Sequence, residues 1–295
     1  MKIEDRGAKI LVVDDNPANI DILLELLSAY DVRAVLDGQS ALEAVNEELP
    51  DLILLDIAMP GMDGFEVCKR LKQSARTKEI PVIFLSANND DASILKGFEV
   101  GGVDYITKPY RAKEVLARVK THIQLFFALR KLEKIATTDE LTGISNRRKF
   151  FMRAPRLIEQ AKAKNVPLFL AVIDIDKFKS INDRYGHAVG DEVLKALTNV
   201  AKEMLPPNTC FARLGGDEFT MMLGGDESKV LKVYNRLRIL MEKTNIPGSD
   251  VKATLSIGVS RLDSKNEDVN ALIRRADEAL YVVKEKGGNG LETKL

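Results

Sequence analysis

Two stretches of the chain put carboxylates side by side, where their charges repel. In CFARLGGDEFTMML, residues 210–223, a Gly-Gly pair separates two apolar runs, and Asp217 and Glu218 follow at once. Glycine enters positive φ freely, so the pair reads as a tight hairpin turn between strands that pack Phe211, Leu214, Phe219 and Met221. In VIDIDKFKSINDRYGHAVGD, residues 172–191, Asp174 and Asp176 flank Ile175 at the end of an apolar strand, with Lys177 and Lys179 next. A hairpin tip lying beside that strand end brings Asp174 to face Asp217 and Glu218. Three acids meeting in space need a metal, and hard oxygen donors select Mg2+ or Mn2+. Lys179 and Lys284 are cations for a polyphosphate, and Asn182 and Asp191 carry the donors and acceptors to read a base edge such as that of guanine. No G-x-x-x-x-G-K-[ST] run occurs, so this is not a P-loop site. A second Gly-Gly-Asp, at 224–226, lacks the flanking pattern and reads as a loop and helix cap.

A separate acid set lies earlier. Asp14 and Asp15 end a first apolar strand, Asp56 ends a third, Ser86 a fourth, and Lys108 follows a fifth. In an open parallel sheet these ends converge. Three carboxylates in one half-open crevice favour Mg2+. A carboxylate beside Mg2+ and a lysine can attack a phosphoryl group, because the cations neutralise charge on the transferred oxygens. Lys108-Pro109 invites a cis peptide.

The elements that position these residues fall into two patterns. Strand candidates at 9–14, 32–36, 51–56, 81–86 and 103–107 alternate with helices at 17–29, 39–48, 64–73 and 90–100. That order predicts an α/β, doubly wound, five-stranded parallel sheet of flavodoxin-like plan. Residues 111–138 contain no Gly or Pro and predict one long helix. Its stripe of Leu116, Val119, Ile123 and Phe126 slips once and resumes at Leu129, Leu132 and Ala136. The first half packs on the sheet, and the second half projects to a partner helix. Beyond it, helix 146–163, strand 167–174, helix 187–205, hairpin 209–223, helix 227–244, strand 251–260, helix 267–286 and a short last strand predict an α+β, ferredoxin-like domain with an antiparallel sheet. The expected domains are 1–122, a helical coiled-coil linker at 123–138, and 139–295.

With 295 residues, 45% hydrophobic and 30% charged, the chain suits two globular domains. Lys plus Arg equals Asp plus Glu at 44 each, so no basic field draws it to nucleic acid or a membrane. No apolar run nears the ~20 residues that span a bilayer. The first ten residues are too charged for a secretion signal, and two distant cysteines, Cys68 and Cys210, fit a reducing cytoplasm. His187 lacks a Cys or His neighbour and is not a zinc ligand.

Residues 8–125, with DD after the first strand, DIAMPGMDG after the third, LSA and YITKP, resemble a response-regulator receiver domain. The resemblance implies Asp56 as phosphoacceptor for a histidine kinase. It implies Asp15, Asp56 and the Ala58 carbonyl as Mg2+ ligands with Asp14 supporting, and Ser86 and Tyr105 as the switch pair. Residues 137–290, with DELTGISNRR, DIDKFKSINDRYGHAVGD, RLGGDEF and LSIGVS, resemble the GGDEF diguanylate cyclase domain. This implies a nucleotidyl-cyclase-like fold that condenses two GTP into cyclic di-GMP and two pyrophosphates, with two domains face to face. It implies metal binding by Asp174, the Ile175 carbonyl and Asp217, with Glu218 close by. Guanine would be held by Asn182 and Asp191, and phosphates by the Phe178 amide, Lys179 and Lys284. The proton acceptor would be Asp217 or Glu218. A homodimer through the receiver and linker helix follows, in a two-component pathway.

Two positions depart from the family pattern. Pro206, Pro207, Asn208 and Thr209 stand where the product-inhibition Arg-x-x-Asp would lie, so no feedback inhibition is expected there. In KEKGGN, 284–289, Gly288 replaces a second phosphate-binding arginine, with Lys286 near enough to compensate. Losing one charged contact costs about 1.5–3 kcal/mol. A weak or inactive GTP-binding or interaction module is therefore the competing reading. A cyclic di-GMP receptor is disfavoured by the missing Arg-x-x-Asp.

Overall fold

The computed structural model describes residues 7–87, 91–206, 209–263 and 267–294. Two compact units meet in sequence between Leu132 and Glu133.

The first unit alternates strand and helix: β1 (Lys9–Val13), α1 (Pro17–Leu26), β2 (Asp31–Val35), α2 (Gly38–Glu47), β3 (Leu52–Asp56), α3 (Gly64–Gln73), β4 (Val82–Ser86), α4 (Asp91–Glu99), β5 (Asp104–Thr107) and α5 (Ala112–Thr137). All strand pairs are parallel, in the order β2-β1-β3-β4-β5. β3 and β4 are buried along their whole length, which is why LILLD and VIFLS read as unbroken apolar runs closed by one polar residue. One core lies on each face, around Val67 and Cys68 of α3 and around Leu23, Val115 and Val119 of α1 and α5. Strand order reverses between β1 and β3, so a crevice opens at their carboxyl ends. Asn16, Asp37 and Asp63 start the helices by accepting from the amides of Ala18, Ser40 and Glu66.

On α5 the packed face is Val115, Val119, Ile123 and Phe126, stepping by 4, 4 and 3. Leu116, assigned to that face from sequence, is exposed, because Val115 is the residue in phase with Val119. Leu125, Leu129, Leu132 and Ile135 are all more than half exposed.

The second unit contains β6 (Ser145–Asn146), α6 (Arg147–Lys164), β7 (Leu168–Ile175), α7 (Phe178–Tyr185), α8 (His187–Met204), β8 (Cys210–Gly215), β9 (Glu218–Gly224), α9 (Glu227–Lys243), β10 (Leu255–Arg261), α10 (Val269–Glu285) and β11 (Leu291–Lys294). Sheet order is β11-β10-β7-β9-β8-β6. The inner four strands are antiparallel in the ferredoxin-like order, but β6 and β11 join the edges in parallel. The sheet is therefore mixed rather than antiparallel throughout. Two elements were not expected from sequence. β6 has only two residues, too few to alternate, and α7 is an eight-residue helix entered through Lys177 at φ +54. β10 begins at Leu255, later than expected, so residues 251–254 precede the strand.

Val193, Leu197, Leu237 and Met241 of α8 and α9 fill one face of this sheet. Phe150, Ala154, Leu272 and Ala276 of α6 and α10 fill the other. Tyr234 of α9 is fully buried, and its hydroxyl reaches the Phe169 and Met221 carbonyls at 3.2 and 3.3 Å. Tyr234→Phe should lower the unfolding free energy by about 1 kcal/mol in urea titration, since a buried acceptor loses its donor while packing is kept.

Candidate functional site

In the first unit, β1, β3 and β5 deliver acids and a lysine to one crevice. Asp14, Asp15 and Asp56 each offer a carboxylate oxygen within 4.8 Å of the others. Asp14 is fully buried, and both its oxygens are saturated. Oδ1 accepts from the Asn16 amide (3.0 Å) and Asn19 Nδ2 (2.9 Å). Oδ2 accepts from Lys108 Nζ (2.8 Å) and the Tyr110 hydroxyl (3.2 Å). Asp15 is exposed and Asp56 buried, so these two face the crevice with capacity to spare. Lys108 Nζ also reaches Asp56 Oδ2 at 2.9 Å. Burial raises the Asp56 carboxyl above the ordinary value, with Lys108 opposing and Asp14 reinforcing. Burial draws the Lys108 ammonium down, but its hydrogen bonds to Asp14 and Asp56 outweigh this and leave it raised. Three close acids, one of them open to solvent, fit a hard divalent ion.

The Lys108–Pro109 peptide is cis. Ser86 is buried at the end of β4, and its carbonyl accepts from the Lys108 amide at 2.8 Å. Tyr105 pairs with Phe84 across β4 and β5, with the Arg118 guanidinium 5.7 Å from its ring. Ala58 is exposed just past β3, and its amide donates to Asp56.

In the second unit, Asp174 near the end of β7 lies opposite Glu218 on β9 and Ser256 on β10. Gly215 pairs with Glu218, leaving Gly216 and Asp217 as a two-residue tip. The strands thus set acid against acid, an arrangement that is unfavourable without a counter-charge. Lys284 of α10 supplies one, 2.8 Å from Asp174 Oδ2. Burial raises the Asp174 carboxyl, Lys284 opposes, and the charges of Asp217 and Asp176 push it further up. Among the described residues, only Asp14, Asp15 and Asp56 make a three-acid group within 4.8 Å; Asp174, Asp217 and Glu218 do not close that far.

Asn182 of α7 has a buried Oδ1 with no hydrogen-bond partner among the described residues. Gly190 of α8 makes the room for it, because a Cβ there would stand 1.9 Å from that oxygen. Asp191 follows Gly190 and is exposed, as are Lys179 and His187; Phe178 is half-buried at the start of α7. Lys286 does not turn to this site: its ammonium pairs with Glu292 at 2.7 Å. Pro206 accepts the Thr209 hydroxyl at 2.7 Å, and Pro207 and Asn208 lie outside the described residues.

A family model for the diguanylate cyclase GGDEF domain matches residues 136–290, more than half of the chain. The chain belongs to the GGDEF family. A response regulator receiver domain model matches residues 10–120. The response regulator PleD of Caulobacter vibrioides is 30% identical over 308 aligned positions, covering 98% of this chain and 66% of the relative. The chain thus spans slightly less than two thirds of that relative. The coiled coil and GGDEF domain of DgcB from Caulobacter crescentus, solved with c-di-GMP, superposes with a TM-score of 0.57 at 28% identity, over 62% of this chain and 98% of that one. The diguanylate cyclase SiaD of Pseudomonas aeruginosa, solved with its activator SiaC, gives 0.52 at 27% identity, over 61% and 71%. Among the described residues no helix is long and apolar enough to cross a membrane.

Several residues of this GGDEF site escaped sequence reasoning. Arg213 donates through Nε to the Gly216 carbonyl (2.8 Å) and through Nη1 to both Asp139 oxygens (3.1 and 3.2 Å). Asp139 also accepts the Thr142 amide and hydroxyl. The hairpin tip is thereby tied to the segment that follows α5. Asp277 of α10, one heptad before Lys284, is raised by partial desolvation and then by Glu218, with Lys284 opposing. The only signal in sequence was that both Asp139 and Arg213 border long motifs. Arg213→Ala should lower stability by about 1–3 kcal/mol in urea, because a half-buried carboxylate and the turn carbonyl lose charged donors.

The raised carboxyls also have a pH consequence. An acid raised in the folded state stabilises folding fully below its unfolded pKa, near 3.8, and that contribution is lost as pH rises through the folded value. Raising the pH from the acid range therefore removes a stabilising contribution of Asp56. Asp56→Asn should raise the melting temperature at pH 7 in chelator, and the gain over the native chain should shrink as the pH is taken below 4.

Proposed function

We propose that the chain is a phosphorylation-regulated diguanylate cyclase of a two-component pathway, in the cytoplasm. The observation that carries this reading is Asn182: a buried acceptor with no protein donor is costly unless a ligand completes it. The N–H edge of guanine is such a donor, with Asp191 beside it for the remaining N–H groups. The Phe178 amide, at the start of α7 where backbone N–H groups are unpaired, takes a phosphate oxygen together with Lys179 and Lys284. Asp174, the Ile175 carbonyl and Asp217 hold Mg2+ or Mn2+. When bound, the metal polarises the α-phosphate and lowers the pKa of the attacking 3′-hydroxyl.

Two such domains face one another, each holding one GTP. The 3′-oxygen of each nucleotide bonds to the α-phosphorus of the other. The bond to the β-phosphate breaks, pyrophosphate leaves, and Asp217 or Glu218 accepts the 3′-hydroxyl proton. The two bonds so formed, one from each nucleotide, close the ring of cyclic di-GMP.

In the receiver, Asp56 attacks a phosphohistidine of a sensor kinase, and the histidine nitrogen leaves. Asp15, Asp56 and the Ala58 carbonyl hold Mg2+ while Asp14 orients Lys108. Ser86 and Tyr105 then shift toward the phosphoryl group. The domains are read as 1–122, a linker at 123–138 and 139–295. The exposed stripe of Leu125, Leu129 and Leu132 suits a second copy of the same helix, and a homodimer through receiver and linker raises the mutual concentration of the cyclase domains.

A second reading, GTP binding without turnover, is favoured by one observation. Gly288 offers no charge and Lys286 is engaged with Glu292, so the second phosphate cation has no replacement from this turn. Incubating the full chain with GTP and Mg2+, with and without beryllofluoride, separates the two. Cyclic dinucleotide and pyrophosphate in a one-to-two ratio, rising with beryllofluoride, are the expected outcome. Saturable GTP binding with no product in either state would establish the second reading.

A further inference from the structure

The second acid of the DID run, Asp176, is left without work by the chemistry above, yet its carboxylate accepts three hydrogen bonds. It follows β7 directly. Its Oδ2 accepts from the Thr254 hydroxyl (2.7 Å) and from the Asn289 amide (2.8 Å), and its Oδ1 accepts from the Ser256 hydroxyl (2.5 Å). Its own amide donates to the Thr254 carbonyl at 3.0 Å. The three side-chain bonds join segments far apart in sequence: the end of β7, the entry to β10, and the turn after α10.

That turn is closed onto the helix end that carries Lys284. The Gly287 amide donates to the Lys284 carbonyl (3.1 Å), and the Gly288 amide to the Val283 carbonyl (3.0 Å). Asn289, at φ +48, is held from its other side by Arg238 of α9, whose Nη1 reaches its carbonyl and its Oδ1 at 3.2 and 2.6 Å. Gly288 presses against the same carboxylate. It sits at φ +83, and a Cβ there would lie 2.8, 2.9 and 3.1 Å from Asp176 Oδ1, Cγ and Oδ2. These three atoms cannot give way without releasing their donors.

We propose that Asp176 is a positioning residue of the GTP site. By clamping the turn after α10 to the end of β7, it sets where the Lys284 ammonium stands relative to Asp174. A side chain at 288 would press on this carboxylate and disturb the clamp. The proposal rests on the reading of Lys284 as a triphosphate-binding cation.

The test is calorimetric binding of a non-hydrolysable GTP analogue with Mg2+ to the full chain, with melting curves for every variant. Lys284→Ala should weaken binding by roughly tenfold or more, the loss expected of one charge-assisted contact. Asp176→Asn should weaken it by roughly three- to tenfold, and by less than about twofold in the Lys284→Ala background, because a residue acting through Lys284 has nothing left to position. Gly288→Ala should behave like Asp176→Asn. Ser256→Ala, which removes one donor of three, repeats the comparison if Asp176→Asn fails to fold. Equal losses with and without Lys284 would show a general structural role and overturn the proposal. An unchanged affinity in Lys284→Ala would instead overturn the reading of that lysine, and the clamp's purpose with it.

Discussion

An ammonium laid on a buried carboxylate is the interaction on which both sites depend. Asp14, Asp56 and Asp174 are each less than a tenth exposed, and each sits within or directly after a strand where neighbouring acids crowd it. An isolated carboxylate at such a depth is costly. Lys108 answers for two of them and Lys284 for the third, each at 2.8 or 2.9 Å. In both units the lysine enters late in the chain and reaches back across the sheet, from the residue after β5 and from the last turn of α10.

That arrangement is unfavourable locally, and the folds carry it with packing elsewhere. β3, β4 and β7 are buried along their whole length, and helices cover both faces of each sheet. The acids project only where the strands stop, at edges that helix caps and short turns leave open. Asp14 shows the consequence: four donors converge on its two oxygens, so its orientation is rigid although its neighbours Asp15 and Asp56 retain free lone pairs. Rigidity and spare capacity are divided between adjacent residues.

α5 joins the two patterns in one 26-residue helix. Its first half is held by the receiver core through Val115, Val119 and Ile123. Its second half presents Leu125, Leu129 and Leu132, each more than half exposed, an arrangement that leaves apolar area in water.

The order of elements, both motif sets and nearly every strand were legible in sequence, because alternation, strand length and turn residues are local properties of the chain. So was the crevice of Asp14, Asp15, Asp56 and Lys108, since a parallel sheet brings strand ends together by rule. The face of α5 was misjudged by one residue at Leu116, where neighbouring apolar positions differ only in phase. β6 and α7 were missed because two residues cannot alternate and eight make little more than two helical turns. What sequence could not supply was which side chain meets which across long separations. The bonds of Asp176 to Asn289, of Asp139 to Arg213 and of Lys286 to Glu292 arise only once the sheet has brought those segments within reach. Covalent order dictates the local conformations, but a hydrogen bond needs atoms about 3 Å apart. Only the packed structure decides that distance.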